Sequence, residues 1–400
     1  MRGRSLARAL TAGALAAGLL ALPVLATSAQ AGETTRARAS APALKVMTRN
    51  LYLGTDINRP IAAVQGKTTP QEILDALGNA TDEARDIVDK TDFGTRSRLL
   101  AKEIAAKQPD LVGLQEVAMW RSGPFEPLMA TTLNAETVDY DYLKMLLAAL
   151  RAEGVRYQAV SVNWLADVEA PAFEGTLADP TTLKNMRDVR MTMRDVILKR
   201  VGSGIKILKH REKRYAHNLE VTIAGKTLNF GRGYQWVDAQ RGDQKFRFIN
   251  THLEAFSSDI AYKQAQQLLA GPGDANKTTI IVCDCNSDPL NGSVKTALGD
   301  TQPHWAPYWL ITSQGGFHDT WLQWKQPQYG WTSGLSELVD DETAAGFDHR
   351  IDMVFARTAD GNRLRVVGGA VTGNTVAAKD PATGLWPSDH AGVVMRLRGL

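Results

Sequence analysis

The chain has 400 residues, of which 44% are hydrophobic and 22% are charged, so it is neither a disordered protein, a collagen-like repeat nor a polytopic membrane protein. The formal net charge is +3, but Arg2, Arg4 and Arg8 lie in residues 1–31, which carry no acid. The rest of the chain holds 43 basic and 43 acidic side chains. This balance argues against a protein that coats a polyanion, although it leaves room for a local basic groove.

The first 31 residues are typical of a secretory signal peptide. MRGRSLAR is basic, the run from Ala9 to Ala26 is almost entirely apolar, and the AQA tripeptide that ends at Ala31 is a small-residue cleavage site. We therefore expect a secreted, extracellular protein that is cleaved after Ala31. A membrane anchor is the alternative, because an apolar run of about 18 residues nearly spans a bilayer. Residues 32–43 are small, polar and aperiodic, which predicts a flexible linker.

From residue 44 onward, strand and helix patterns alternate to the end of the chain. Strands are predicted at 44–50, 110–116, 155–162, 195–199, 219–223, 245–253, 278–286, 350–356, 364–371 and 391–397. Helices are predicted at 95–108, 142–151, 260–270 and 293–298. Two segments, 52–94 and 120–192, show little strand pattern and are expected to decorate the scaffold. This succession predicts an α/β fold in which two packed sheets are covered by helices.

Polar residues stand where several apolar strands end or begin, at positions that a protein core would reject. They are Glu116, His252, Asp284 with Asn286, Asp352, and Asp389 with His390. Burying a carboxylate costs several kcal/mol unless it is paired or bound to a metal. Each residue also has an ordinary explanation by itself: a surface carboxylate, a structural histidine, or, for Asp352, an ion pair with Arg350. A serine-hydrolase triad at 388–390 is excluded, because adjacent residues cannot converge as a triad requires.

Cys283 and Cys285 are the only cysteines, so no disulfide framework is expected. Strand alternation places Asp284 and Asn286 on one face and the two cysteines on the other. We expect the cysteines to pack as separate apolar thiols, because a disulfide between residues two apart would be strained. A soft-metal site is disfavoured, since there is no further cysteine and no nearby histidine.

The order of these residues is more informative than any one of them. Together they resemble the endonuclease/exonuclease/phosphatase superfamily, which includes pancreatic-type deoxyribonucleases and bacterial sphingomyelinases; the matching positions are Asn50, Glu116, Thr251-His252, Asp284-x-Asn286, Arg350-x-Asp352 and Ser388-Asp389-His390. The resemblance runs from Leu44 to Leu397. It implies that residues 44–400 form one catalytic domain, a four-layer α/β/β/α sandwich of two packed mixed β-sheets with helices outside. Cys283 and Cys285 depart from the glycine and the aromatic residue usual in the family's motif, on the face away from the site.

The resemblance also implies a reaction, the hydrolysis of a phosphodiester by in-line attack of water, assisted by Mg²⁺ or Mn²⁺. The implied metal residues are Glu116 as principal ligand, with Asn50 and Asp389 beside it. The implied catalytic residues are Asp284 and Asn286 at the attacking water, His252 and His390 at the phosphate, and Asp352 behind His390. Arg194 also matches a family strand and is implied, less specifically, as a substrate contact; an ion pair explains it equally well.

The substrate is the least determined part of the sequence. Residues 184–214 contain eleven Lys and Arg against three acids, which favours a nucleic-acid backbone, although a solvated face has the same composition. Against this, residues 164–180 hold four acids and no base. The aromatic run HWAPYW at 304–309 fits a lipid interface, base stacking or a covered core. We predict a monomeric nuclease without an obligate protein partner ahead of a lipid phosphodiesterase or phosphatase, with a non-catalytic binding module as the remaining class.

Overall fold

The computed structural model describes residues 42–126, 133–223, 226–274, 276–325 and 328–400. The predicted signal peptide and most of the predicted linker lie outside these ranges. Within them, two β-sheets and a separate two-stranded hairpin account for the strands. No helix in the described part of the chain is both long enough and apolar enough to cross a membrane.

The first sheet has eight strands: β1 (Leu44–Asn50), β2 (Leu111–Gln115), β3 (Met119–Gly123), β4 (Thr137–Asp141), β5 (Tyr157–Thr176), β6 (Asp179–Arg200), β15 (Arg365–Thr372) and β16 (Gly392–Arg398). Their order is β15-β16-β1-β2-β6-β3-β4, and β5 pairs with β6 beside this path. The central strands β1 and β2 run parallel, with Asn50 opposite Gln115. Both strands therefore end at the same edge of the sheet.

The second sheet has six strands: β7 (Ile205–Arg214), β10 (Gly233–Arg241), β11 (Gln244–His252), β12 (Thr279–Asp284), β13 (His318–Asp319) and β14 (Asp352–Arg357). Their order is β13-β14-β12-β11-β10-β7. Parallel pairing of β11 with β12 puts His252 opposite Asp284, and antiparallel pairing of β12 with β14 puts Asp284 opposite Asp352. The remaining hairpin consists of β8 (Leu219–Ile223) and β9 (Lys226–Phe230).

Seven α-helices accompany the sheets: α1 (Asn58–Ala63), α2 (Pro70–Lys90), α3 (Phe93–Lys107), α4 (Tyr142–Ala152), α5 (Ser258–Ala270), α6 (Ala306–Trp309) and α7 (Thr320–Lys325), counted over the ranges given above. Adjacent strand residues face different cores, as the two-residue period requires. Val46 and Val282 meet in the core between the sheets. Met47 lies in the core under α2, α3 and α4, and Ile281 lies in the core under α5. Three cores thus separate four layers, which confirms the predicted α/β/β/α sandwich.

Two of the sequence expectations need correction. Segment 120–192 was expected to contain little strand, but it includes β3, β4 and most of the long β5–β6 hairpin. The hairpin is stabilised by pairing along its length, so weak local strand preference does not prevent it. The helix predicted at 293–298 is reduced to a single 3₁₀ turn at Thr296–Leu298, and segment 52–94 is mainly helical through α1 and α2.

Candidate active site

Ends of five strands place polar side chains at one edge of the two sheets. Asn50 ends β1, Glu116 follows β2, His252 ends β11, Asp284 ends β12 and Asp352 begins β14. Since β1 and β2 are parallel, as are β11 and β12, their carboxyl ends meet at this edge. The structure therefore brings together the residues that the sequence singled out at strand ends.

Glu116 is held by hydrogen bonds to both of its carboxylate oxygens. Asn50 Nδ2 donates to Glu116 Oε1 at 3.1 Å, and the Leu53 backbone N–H donates to Glu116 Oε2 at 2.8 Å. Asn50 Nδ2 also lies 2.8 Å from Asp284 Oδ2, so one amide joins two carboxylates. Glu116 has a φ of 54°, which turns the chain sharply after β2 and is uncommon for a residue with a side chain. Such a conformation is retained where the surroundings demand it.

His252 is buried, and Arg232 lies against its ring. Arg232 Nη1 lies 2.7 Å from His252 Nδ1, while His252 Nε2 lies 3.5 Å from Asp284 Oδ2 and 4.0 Å from Glu116 Oε1. Burial and the Arg232 charge lower the pKa of His252 well below its usual value, so this ring is neutral. A neutral ring accepts a hydrogen bond at one nitrogen and carries its proton on the other. Arg232 Nη1 lies 2.7 Å from Nδ1 and 3.1 Å from Nε2, so we assign the proton to Nε2, which faces the carboxylates.

His390 is also buried, but its ring is protonated. Its Nδ1 lies 2.8 Å from Asp352 Oδ2, and its Nε2 lies 3.8 Å from Asp284 Oδ2. Burial alone would lower the pKa of His390, but the carboxylates of Asp352, Asp389 and Asp284 outweigh it and raise the pKa well above the usual value. The Asp352 backbone is fixed in turn by its N–H bond to Thr332 Oγ1 at 3.1 Å. The site thus presents one cationic and one neutral imidazole.

The ordinary explanation for Asp352, an ion pair with Arg350, does not hold. Arg350 Nη2 binds Asp319 Oδ2 at 2.7 Å, so the carboxylate of Asp352 is left to His390. Asp389 accepts a hydrogen bond from Ser388 Oγ at 3.3 Å. Ser388 Oγ donates to the Asn50 carbonyl at 2.9 Å, which ties the 388–390 segment to the end of β1.

Carboxylates outnumber the cations available to balance them. Burial raises the pKa of Asp284 to about 7, with Asp352 adding to the shift and His390 opposing it. Burial and the Glu116 charge raise the pKa of Asp389 to about 6, against the opposing charge of His390. Burial raises the pKa of Asp195, a further acid that interacts with Glu116 and Asp284, to about 8. Buried carboxyl groups that ionise reluctantly without a counter-charge, and that offer hard oxygen donors, fit a divalent cation.

Atoms that could hold such a cation lie close together. Glu116, His252 and Asp284 each present one donor atom, and these atoms lie within 4.8 Å of one another. Glu116, Asp389 and Arg232 also line one open cleft of about 300 Å³. Asn286 is half-buried beside Asp284; its N–H donates to Asp284 Oδ1 at 3.1 Å, and its Nδ2 donates to the Leu253 carbonyl at 3.0 Å.

Arg194 does not act as the substrate contact that was expected. Its side chain is buried, and it donates to the Val117 carbonyl at 2.9 Å and to Asp141 Oδ1 at 2.7 Å. It therefore holds the segment that follows Glu116. Arg232, in contrast, was missed by the sequence analysis, because it lies in the loop before β10 and not at the end of an apolar strand. The flanking glycines in Gly231-Arg232-Gly233 were its only sequence mark.

Cys283 and Cys285 form a disulfide, which corrects the expectation of two separate thiols. Strand β12 ends at Asp284, so the segment is bent at this point. The two Cα atoms are 5.1 Å apart, whereas two residues of regular strand span about 6.6 Å. A disulfide also needs the two Cβ atoms about 3.5–4.5 Å apart, closer than the parallel side chains of a regular strand allow, so the bend is what permits the bond.

No protein-family model and no curated protein sequence matches the chain. Among solved structures, an endonuclease/exonuclease/phosphatase family protein from Leptotrichia buccalis has 16% identity and a TM-score of 0.48, with 89% of this chain and 99% of that chain covered. The endonuclease/exonuclease/phosphatase from Beutenbergia cavernae has 21% identity and a TM-score of 0.48, over 90% of this chain and 72% of that chain. A mannosyl-6-phosphatase from Bacteroides thetaiotaomicron has 15% identity and a TM-score of 0.48, over 88% and 99%. The likeness is one of fold. It transfers no activity and no residue role.

Proposed function

We propose that the protein is a metal-assisted hydrolase of phosphodiesters. The observation that carries this proposal is a pair of buried histidines that both lie close to Asp284, beside Glu116. One of them, His252, is neutral, and the other, His390, is cationic. Phosphoryl transfer places negative charge on the phosphate oxygens and on the leaving oxygen. A site with fixed donors, a cationic imidazole and room for a divalent ion is built to stabilise such charge. A non-catalytic binding module would not need buried acids whose pKa values are raised by burial.

The metal would be held by Glu116, with Asn50 and Asp389 beside it, and the all-oxygen character of these groups favours Mg²⁺ or Mn²⁺. When bound, a divalent cation polarises the phosphoryl group and neutralises developing charge.

The protein's own groups divide the remaining tasks. Asp284, with its pKa raised to about 7, is suited to accept a proton from the attacking water near neutral pH. Cationic His390 donates a hydrogen bond to the phosphate and stays charged because Asp352 lies behind it. Neutral His252 donates from Nε2 on the other side, while Arg232 lies nearest to Nδ1 of the same ring. Asn286 keeps the Asp284 carboxylate oriented.

Nucleic acid is the substrate that we favour. The basic segment 184–214 supports this choice less than its composition indicates. Five of its cations are paired with acids, in the pairs Lys184–Glu174, Arg187–Asp82, Arg190–Asp167, Arg194–Asp141 and Arg200–Asp110. The cations that remain exposed lie on the edge strand β7. The same pairing neutralises acids of segment 164–180, so the expected repulsion of a polyanion is weaker as well.

One end of β7 is close to the site. Arg214 lies opposite Gly233, and Gly233 lies opposite His252 on the next strand. Lys213 and Arg214 are thus two strands away from the catalytic histidine, about 10 Å at the usual strand spacing. An exposed phosphate backbone running along this end of β7 would lead into the cleft.

A lipid phosphodiester is the second candidate, because an apolar pocket adjoins the cleft. The pocket has a volume of about 80 Å³, and Thr55 and Ile57 line both it and the cleft. Its other walls include Trp120, whose Nε1 donates to the carbonyl of Leu53, the residue whose N–H binds Glu116. Trp305 and Trp309 of the aromatic run are 36% and 48% exposed, which also leaves them available to a lipid interface.

The deciding experiment offers the purified protein plasmid DNA, RNA and sphingomyelin vesicles, each with Mg²⁺ and over a range of salt. We expect the nucleic acids to be cut, with cleavage that weakens steeply as salt rises, because backbone contacts release counterions. Lys213→Glu should weaken cleavage, whereas Lys206→Glu, at the far end of the same strand, is the matched control. Hydrolysis of vesicles alone, insensitive to salt and reduced by Ala170→Leu in the apolar pocket, would reverse the preference.

Secretion with cleavage after Ala31 is part of the proposal. The Cys283–Cys285 disulfide supports it, because disulfides persist in oxidising compartments and are rare in the cytosol. Expression with residues 1–31 intact, followed by mass measurement of the protein in the medium, tests the cleavage site. A cell-associated protein of full mass would contradict it.

A further inference from the structure

The disulfide lies directly behind the group proposed as the base. Asp284 stands between Cys283 and Cys285, and both cysteines are fully buried. They pack in the core under α5, together with Leu253 and Met353. The two sulfur atoms therefore face away from the cleft, while the carboxylate between them faces Asn50 and the histidines.

The chain bends where the disulfide lies, between Cys283 and Asn286. Cys283 still lies in β12, opposite Met353 of β14. Cys285 has left the strand but donates its N–H to the Ile351 carbonyl at 2.8 Å. The next residue, Asn286, has a φ of 43° and folds back so that its N–H reaches Asp284 Oδ1. The chain bends within these residues, and the disulfide closes a ring over the start of the bend.

We propose that the Cys283–Cys285 disulfide is a positioning element of the hydrolytic site, which fixes the bend that sets Asn286 against Asp284. This inference rests on the proposed function. The Cα atoms are 5.1 Å apart. In a regular strand the Cβ atoms of residues two apart point to the same face and lie about 6.6 Å apart, whereas a disulfide holds them about 3.5–4.5 Å apart, so the bonded ring cannot adopt regular strand geometry. Displacements of about 1 Å at a reacting group reduce rates by up to about 10²-fold.

The test compares the wild type with Cys283→Ala, Cys285→Ala and the double variant. Ile281→Val is the matched control, since Ile281 lies on the same strand and in the same core but outside the ring. The readouts are kcat and KM with Mg²⁺ on bis(p-nitrophenyl) phosphate, melting temperature, thiol titration of the denatured protein, and hydrogen exchange of the amides of residues 284–287. Wild-type protein reduced with a phosphine and then reoxidised provides a rescue arm.

We expect no titratable thiol in the purified wild type. The single and double variants should share a fall in kcat of about 10- to 100-fold, with little change in KM and faster exchange at 284–287. Reduction should reproduce the loss and reoxidation should restore it, which a purely structural contribution to stability would not do below the melting temperature. Two free thiols in the wild type, or a folded double variant with wild-type kcat and exchange, would overturn the inference. If the wild type cleaves no phosphodiester, the proposed function fails, and the exchange measurement alone then decides the role of the disulfide.

Discussion

The Asp352 carboxylate lies 2.8 Å from Nδ1 of His390, and Nε2 of the same ring lies 3.8 Å from the Asp284 carboxylate. A buried imidazole between two carboxylates keeps its proton to higher pH than a free one, as the raised pKa of His390 shows. Asp352 is itself fully buried and bound to the histidine at one oxygen. Asp352 therefore sets the charge that the His390 ring presents to Asp284.

Replacing Asp352 by Asn should shift the alkaline limb of the pH–rate profile to lower pH. In the wild type the pKa of His390 is raised, so the cation is present below that value and is lost as the pH rises through it. Removing the Asp352 charge lowers this pKa, and the active cation is lost sooner. Measurement of kcat/KM against pH in both proteins checks the shift. An unmoved limb with normal activity would leave Asp352 a structural role only.

Mg²⁺ should raise the melting temperature more at about pH 8 than at about pH 5. Burial raises the pKa values of Asp284 and Asp389 to about 7 and about 6, from an ordinary 3.8. The unfolded state therefore releases these protons at lower pH than the native state, and the metal-free protein loses stability as the pH rises from about 4 to about 7. A bound cation compensates the ionised carboxylates and adds binding free energy.

Differential scanning fluorimetry at both pH values measures this, with NaCl of equal ionic strength as the control. The expected pattern is a metal-dependent gain at the higher pH that is largely lost at the lower one. An equal gain at both values would mean that the cation binds elsewhere than at these carboxylates.

Gly78→Ala should destabilise the protein, although alanine is the better helix former. A Cβ at position 78 of α2 would lie 2.2 Å from Cε1 of Phe173 on β5. Helix propensity alone would stabilise the variant by about 1 kcal/mol, but forcing an extra carbon into a packed interface costs about 1–3 kcal/mol. We expect the clash to dominate. Urea unfolding measures the difference, and Gly292→Ala, where the nearest atom is 3.4 Å away, is the control.

The sequence was most informative where polar residues interrupt apolar strands. Burial of Asp284 or Asp352 carries a free-energy cost that must be offset, so their positions predicted a site. Antiparallel pairing of β12 with β14 places the two residues opposite each other. Arg232 could not be found in this way, because its loop has no periodic pattern. The position of its guanidinium against His252 is set by tertiary packing.

Two local features show where sequence reasoning fell short. The helix α2 was missed, yet its start is marked by Thr69 and Glu72, which form a capping box, and by Pro70 in the first turn. The Cys283–Cys285 bond was rejected because regular strand geometry was assumed as far as Asn286, whereas β12 ends at Asp284. The capping box of α2 could have been recognised in the sequence. The disulfide depended on where β12 ends, which sequence patterns define poorly.

The central claim is that Glu116 anchors a divalent ion that assists hydrolysis. The most direct test is the initial rate of bis(p-nitrophenyl) phosphate hydrolysis by the wild type and by Glu116→Gln, each with Mg²⁺ or Mn²⁺ and again in excess EDTA. Glutamine keeps the size of the side chain and the Leu53 contact but removes the charge. We predict a fall on the order of 10³-fold in a variant of unchanged fold, and loss of wild-type activity in EDTA that added metal restores. Full hydrolysis in excess EDTA, or a Glu116→Gln variant as active as the wild type, would contradict the claim.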